Sequence, residues 1–287
     1  VSPQSSPLVG IALMVLSSAF LAAKDGLAKT FLDEVGPLQM IWTQYAGSFL
    51  VLALVAAPTY GLRVIQPTPL PGQLVRGAFS AMGVVTLYWA LTYIPLADAT
   101  AMFMLAPVVV ALLSPLVLGE RLMPARLAAV GVGFLGVLVI LRPGLGGVGV
   151  GYYIALLAGV LLAGYFLTNR MLAGRQPPLL NIVHNSLTGG IVLTLLAPLY
   201  WQTPGWSAVP KLAGIVALAV AGQALMIASF NYAPAAVIAP FTYAMLVFAA
   251  IIGYVVFGTF PDLATWIGMA LIVGAGVYIA DRERRGI

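Results

Sequence analysis

Apolar runs of about 20 residues recur along this chain, separated by proline, glycine or charged positions, and they divide it into ten helix-length segments. The pattern predicts helices near Leu8–Thr30, Gln39–Ala57, Leu74–Tyr93, Leu96–Leu118, Ala125–Leu141, Gly151–Leu172, Leu180–Leu199, Lys211–Tyr232, Ala235–Phe257 and Leu263–Ala280. The runs are continuous in Leu, Ala, Val, Gly and Ile, whereas barrel strands alternate polar and apolar positions over about ten residues. A hydrocarbon core about 30 Å thick takes roughly 20 apolar residues per helix. The expected fold is therefore an all-α polytopic membrane protein with ten transmembrane helices. The first run reads as a span and not as a cleaved signal, because Val1–Pro7 carries no positive charge and the run is too long.

Composition supports a lipid solvent. Of 287 residues 62% are hydrophobic and 7% charged, against about 25% charged in a typical soluble domain. This excludes a soluble enzyme, a disordered tail and a nucleic-acid binder, despite the net charge of +5. With no cysteine, and with His184 as the single histidine, disulfides, thiolate metal sites, iron–sulfur clusters and a histidine-built metal site drop out. No metal or cofactor is expected, and the partners are the bilayer and a small-molecule cargo. Nothing sets an oligomeric state, and a monomer is compatible with the fold.

The positive charges sort by side. Arg63, Arg76, Arg121, Arg126, Arg170, Arg175, Arg282, Arg284 and Arg285 fall with the N-terminus, and Lys29, Arg142 and Lys211 fall opposite. That asymmetry predicts both termini in the cytoplasm. The halves also echo each other. Gly10 and Gly151, Lys29 and Arg170, Pro37 and Pro178, and Gln44 and Asn185 share an offset of 141, while Gly83 and Gly222, Tyr93 and Tyr232, Pro95 and Pro234, and Gly119 and Gly258 share one of 139. Each half then holds five helices, an odd number, so the second crosses in the opposite sense. Residues 1–145 and 146–287 form two inverted repeats, an arrangement that secondary transporters use for alternating access to a midplane site.

The stretch Ala90-Leu91-Thr92-Tyr93-Ile94-Pro95-Leu96-Ala97-Asp98-Ala99, followed by Leu118-Gly119-Glu120-Arg121, resembles the first repeat of the drug/metabolite transporter superfamily, EamA type. Ser229-Phe230-Asn231-Tyr232-Ala233-Pro234-Ala235 and Val256-Phe257-Gly258-Thr259 echo it, with Thr259 in the place of Glu120. The resemblance implies a ten-helix carrier of the bacterial inner membrane, usually an exporter of amino acids or related metabolites. It also implies a central cavity lined by helices 1, 3, 4, 6, 8 and 9. Among such carriers the aromatic amino-acid exporters look nearest.

Lys24 and Asp25 are the most informative residues. A charge at a helix centre costs about 2.5–3.5 kcal/mol on insertion scales, and these two are adjacent in an apolar span. At about 1.5 Å per residue Lys24 lies roughly 24 Å from Leu8, and Ser17 and Ser18 extend the same polar stripe. The pair either neutralises itself near the interface or offers opposite charges to a zwitterion. His184 is a candidate proton site by its ordinary pKa near 6.5, yet its place near the cytoplasmic surface suits a structural role equally; Asp25 is the competing proton carrier. Gln44, Asn169, Asn185, Gln223 and Asn231 must find partners in lipid, by default on other helices. Trp42, Tyr45, Tyr88, Trp89, Phe103, Tyr165, Phe230, Phe241 and Tyr243 are aromatics beyond the interfacial belts. The expected cavity lining is Tyr88, Trp89, Phe103, Tyr165, Gln223 and Phe241, with Lys24 and Asp25 as anchors. Pro107 and Pro240 are expected to break helices 4 and 9.

Gly131, Gly133 and Gly136, and again Gly144, Gly146 and Gly149, match G-x-G-x-x-G. Neither follows a strand, so the first reads as helix packing and the second as a flexible connection. There is no nucleophile with a base, no zinc motif and only one aspartate, Asp25, expected within a span, so no catalytic residue is expected. Asp25 beside Lys24 disfavours a cationic-drug carrier, and Lys24 as the only cation within a span disfavours sugar-phosphate or nucleotide-sugar exchange, which needs several. A zwitterionic metabolite, foremost an amino acid with a large apolar side chain, fits best. A lipid scramblase or a non-catalytic assembly subunit is the alternative outside transport.

Overall fold

The computed structural model describes residues 7–118, 124–141, 149–232 and 238–285. Among them are the helices α1 (Pro7–Lys29), α2 (Pro37–Tyr60), α3 (Leu70–Leu91), α4 (Leu96–Phe103), α5 (Ala106–Leu118), α6 (Pro124–Leu141), α7 (Val150–Met171), α8 (Pro178–Leu196), α9 (Ala208–Ser229), α10 (Ala244–Phe257) and α11 (Leu263–Arg285). Short 3₁₀ stretches, Gly61–Ile65, Ala197–Leu199 and Ala239–Tyr243, supplement them. Seven described segments are long and apolar enough to span a membrane, and three shorter apolar helices complete the ten.

Two spans are interrupted. The fourth consists of α4 and α5, separated at Met104-Leu105, and the ninth of the 3₁₀ stretch Ala239–Tyr243 followed by α10. Pro107 lies just after the first break and Pro240 within the 3₁₀ stretch, where a proline removes a backbone donor. Adding the repeat offset of 139 to Met104 and Leu105 gives Tyr243 and Ala244, the junction at which the ninth span becomes α-helical. Pro58 and Pro115 lie inside α2 and α5. Gly258 ends α10 at φ 66°, a left-handed turn that glycine adopts without a Cβ penalty.

The packing obeys the repeat. Exchanging halves converts the α1–α9 contact into α7–α3, α3–α8 into α9–α2, and α1–α10 into the contact of α7 with α4 and α5; α2–α8 and α6–α11 each map onto themselves. In lipid, apolar side chains gain little by meeting each other, so close approach through small residues carries association. Gly136 shows this: a Cβ there would sit 2.8 Å from the Gly268 carbonyl oxygen, so α6 and α11 touch backbone to backbone. Gly133 is likewise closed off by Val108, so these two glycines have the expected packing role, whereas nothing lies within 4 Å of a Cβ at Gly131. Gly144 and Gly146 lie outside the described residues, as do Glu120 and Arg121.

Candidate functional site

The last turns of α1 are enclosed over most of their surface: Ala22, Lys24, Asp25, Gly26 and Ala28 are buried. Lys24 is 5% exposed and Asp25 1%, with Lys24 Nζ 2.7 Å from Asp25 Oδ1. Neighbouring residues on a helix point about 100° apart and do not naturally face each other. The pair closes off-axis, and Asp25 Oδ1 is left without an aligned hydrogen bond. Lys24 Nζ also reaches Gln44 Oε1 of α2 at 3.4 Å and lies 5.2 Å from the centre of the Tyr88 ring. The fully buried Tyr88 hydroxyl lies beside the Asp25 carboxylate, again without an aligned partner. Spans 1, 2 and 3 thus place a cation, a carboxylate, an amide and a phenol together, with acceptor and donor capacity unspent.

Below this cluster the serine stripe is anchored to the second repeat. Ser17 Oγ donates to the Gly222 carbonyl at 2.7 Å, and Ser18 Oγ to that of Thr242 at 3.4 Å. Gln223 and Phe241 therefore flank the stripe, Gln223 half-buried and Phe241 partly exposed. Phe103 is buried at the end of α4, where the fourth span breaks. Tyr165 lies near Tyr45 and Arg76, and Tyr45 in turn lies near Tyr88. Trp89 is 53% exposed, the most open of the expected lining residues. The structure thus gathers Lys24, Asp25 and Tyr88, with Gln44 as a member that its default helix-bonding role had concealed.

Beyond the pair, towards the end of α1, the repeats are tied together. Lys29 Nζ donates to the carbonyls of Leu91 (2.7 Å) and Ile94 (2.6 Å) and lies 5.6 Å from the Phe257 ring centre, so spans 1, 3 and 9 meet at that side chain. Asp98, in the first turn of α4, is buried and accepts from Tyr152 Oη (2.7 Å) and Thr265 Oγ1 (3.2 Å). In the connection after α1, Glu34 pairs with Lys211 of α9 at 2.6 Å and accepts from Ser207 at 2.9 Å. The Lys211 and Ser207 hydrogen bonds hold the exposed Glu34 carboxyl below the usual range.

Two expectations about charge need correction. Lys24 is not the only cation within a span: Arg76, sorted above with the loops, is 1% exposed inside α3. Helix α3 begins at Leu70, not near Leu74, which carries Arg76 nearly two turns in. Asp98 likewise adds a buried carboxylate to Asp25. His184 is buried, with Nδ1 2.7 Å from Gln176 Oε1 and Nε2 2.8 Å from the Arg63 carbonyl oxygen, which ties it to the connections between spans 2 and 3 and between spans 6 and 7.

Ten apolar spans in two exchanged halves, around a buried ion pair with unspent bonding capacity, define a polytopic carrier of small molecules. Residues 8–142 and 149–280 each match the model of the EamA-like transporter family, and the chain belongs to that family. It is 30% identical over 250 residues to a riboflavin transporter of Brucella anthropi, covering 82% of this chain and 84% of that one. A riboflavin transporter of Rhizobium johnstonii is 30% identical over 247 residues, covering 84% and 80%. An S-adenosylmethionine uptake transporter of Rickettsia prowazekii is 24% identical over 283 residues, covering 98% and 95%. A solved crystal structure, 23% identical, superposes with a TM-score of 0.62 over 99% of each chain, a likeness of fold.

Proposed function

We propose that the chain takes up a neutral, planar heteroaromatic metabolite of the riboflavin type, by alternating access around Lys24, Asp25, Gln44 and Tyr88. The observation that carries this reading is the off-axis ion pair. Its carboxylate stands beside the Tyr88 phenol, the two not aligned into a well-formed bond. A flavin ring offers an imide N–H between two carbonyls, and such an edge pairs with a carboxylate and an ammonium group together. Two riboflavin transporters at 30% identity support the cargo class. The relatives carry no indication of amino-acid export, and the amino-acid reading gives way to this one. A cationic cargo such as S-adenosylmethionine fits less well, because Lys24 already answers Asp25.

In this reading the repeats divide as 1–145 and 146–287, the protein sits in the bacterial inner membrane, and both termini are cytoplasmic. The contacts of Lys29 and the Glu34–Lys211 bridge then close the outer end, and the cargo site faces inward. The test is counterflow in proteoliposomes preloaded with riboflavin. Labelled riboflavin should exchange saturably and resist competition by phenylalanine, tryptophan, leucine and methionine. Exchange of an amino acid with none of riboflavin would reverse the assignment.

A further inference from the structure

Arg76 is the largest fully buried side chain of the described residues, and it has no acidic partner among them. Its Nη1 donates to Asn169 Oδ1 (3.3 Å) and Asn181 Oδ1 (3.0 Å), its Nη2 to the Asn181 carbonyl (2.7 Å), and its Nε has no partner. Neutral amides orient a guanidinium without neutralising it, and a buried cation without a counter-charge is costly. His184 lies beside this charge. Gln176 Nε2 donates to the Thr68 carbonyl at 2.8 Å, which turns Gln176 Oε1 towards His184 Nδ1, while His184 Nε2 faces the Arg63 carbonyl. Both ring nitrogens meet acceptor oxygens, and a neutral ring donates to one of them. The charges acting on that ring are Arg63 and Arg76, each positive.

The seam where the 3₁₀ stretch Gly61–Ile65 meets α3, the end of α7 and the start of α8 therefore holds an uncompensated positive charge. Arg63 and Arg175 are exposed and belong to this seam by their backbone, since the Arg63 carbonyl meets His184 and Arg175 directly precedes Gln176. Leu62 and Ile65, beside Arg63, are 72% and 56% exposed. The geometry points to a phosphate-anion site at this seam, distinct from the cargo cluster on α1. Arg63 and Arg175 contact the phosphate, and Arg76 supplies the field beneath it. Basic seams between helices at a membrane surface take anionic headgroups, and the exposed Leu62 and Ile65 favour a phosphate that carries acyl chains.

The experiment titrates the full-length detergent-solubilised protein with dioctanoyl phosphatidylglycerol, dioctanoyl phosphatidylcholine and inorganic phosphate at fixed ionic strength, reading binding by thermophoresis. The double variant R63Q/R175Q alters exposed residues only, and its fold is checked by circular dichroism and gel filtration. The glycerolipid should bind in preference to the choline lipid, and the double variant should weaken it about 25-fold, roughly fivefold for each arginine. Inorganic phosphate competing at the same site would assign the site to free phosphate; failure to compete would assign it to the lipid. Equal binding of the two lipids with no effect of phosphate, or unchanged affinity in the folded double variant, overturns the proposal.

Discussion

The ion pair on α1 allows a quantitative test. Lys24 Nζ and Asp25 Oδ1 are 2.7 Å apart with both residues buried, so their attraction at an effective dielectric constant of about 20 is about 6 kcal/mol before desolvation is deducted. Lys24→Met leaves a buried carboxylate and Asp25→Asn a buried ammonium group; breaking such a pair costs about 3–5 kcal/mol. The poor alignment of Asp25 Oδ1 places the single variants at the lower end, about 3 kcal/mol each. The double variant buries no net charge and should recover most of that loss. With about 1 kcal/mol of loss left in the double variant, the coupling energy is about 5 kcal/mol. Reversible unfolding in mild detergent, followed by circular dichroism for all four proteins, closes the cycle. Transport should stay lost in the double variant although its stability returns, because the anchors for cargo are gone. A coupling energy below about 0.5 kcal/mol would show that the two charges do not depend on each other, and the site as described would fall.

Other variants probe single contacts. Tyr88→Phe removes a buried hydroxyl without an aligned partner; the unfolding midpoint should hold or rise, while KM for cargo rises several-fold if the phenol binds it. Ser17→Ala deletes the bond to the Gly222 carbonyl and should cost about 0.6 kcal/mol, the average for such bonds in a membrane, read in the same unfolding assay. Gly136→Val forces a side chain against the Gly268 carbonyl and should destabilise by about 1–3 kcal/mol. The Glu34 carboxyl, held low by Lys211 and Ser207, keeps its bridge above the ordinary glutamate value near 4.3 and loses it as pH falls through the depressed folded value. Hydrogen exchange around residues 205–211, corrected for intrinsic rate, should be flat from neutral pH to about 5 and speed up below, and Glu34→Gln should abolish that step.

The apolar runs made the ten spans legible to within a few residues, since a lipid solvent forces backbone bonds inside each helix. Lys24 and Asp25 stood out because charge within such a run is rare. Arg76 did not, for a specific reason: Leu70-Pro71-Gly72-Gln73 reads as a connection, yet α3 starts at Leu70, and the first turn of a helix tolerates proline. The four-residue shift turned an apparent loop arginine into a buried one. The partners of Asp98, Tyr152 and Thr265, come from the other half of the chain, and no local pattern announces a contact across 167 positions. Gln44 was visible as a polar residue in a span, but its meeting with Lys24 depends on how α1 and α2 pack.

The initial rate at which labelled riboflavin enters proteoliposomes bearing the wild-type protein, compared with protein-free liposomes and with Asp25→Asn, tests the central claim most directly. Saturable entry with the wild type and a rate at the protein-free level with the variant is the predicted result. Entry no faster than into bare liposomes, or entry unaffected by Asp25→Asn, would contradict the account.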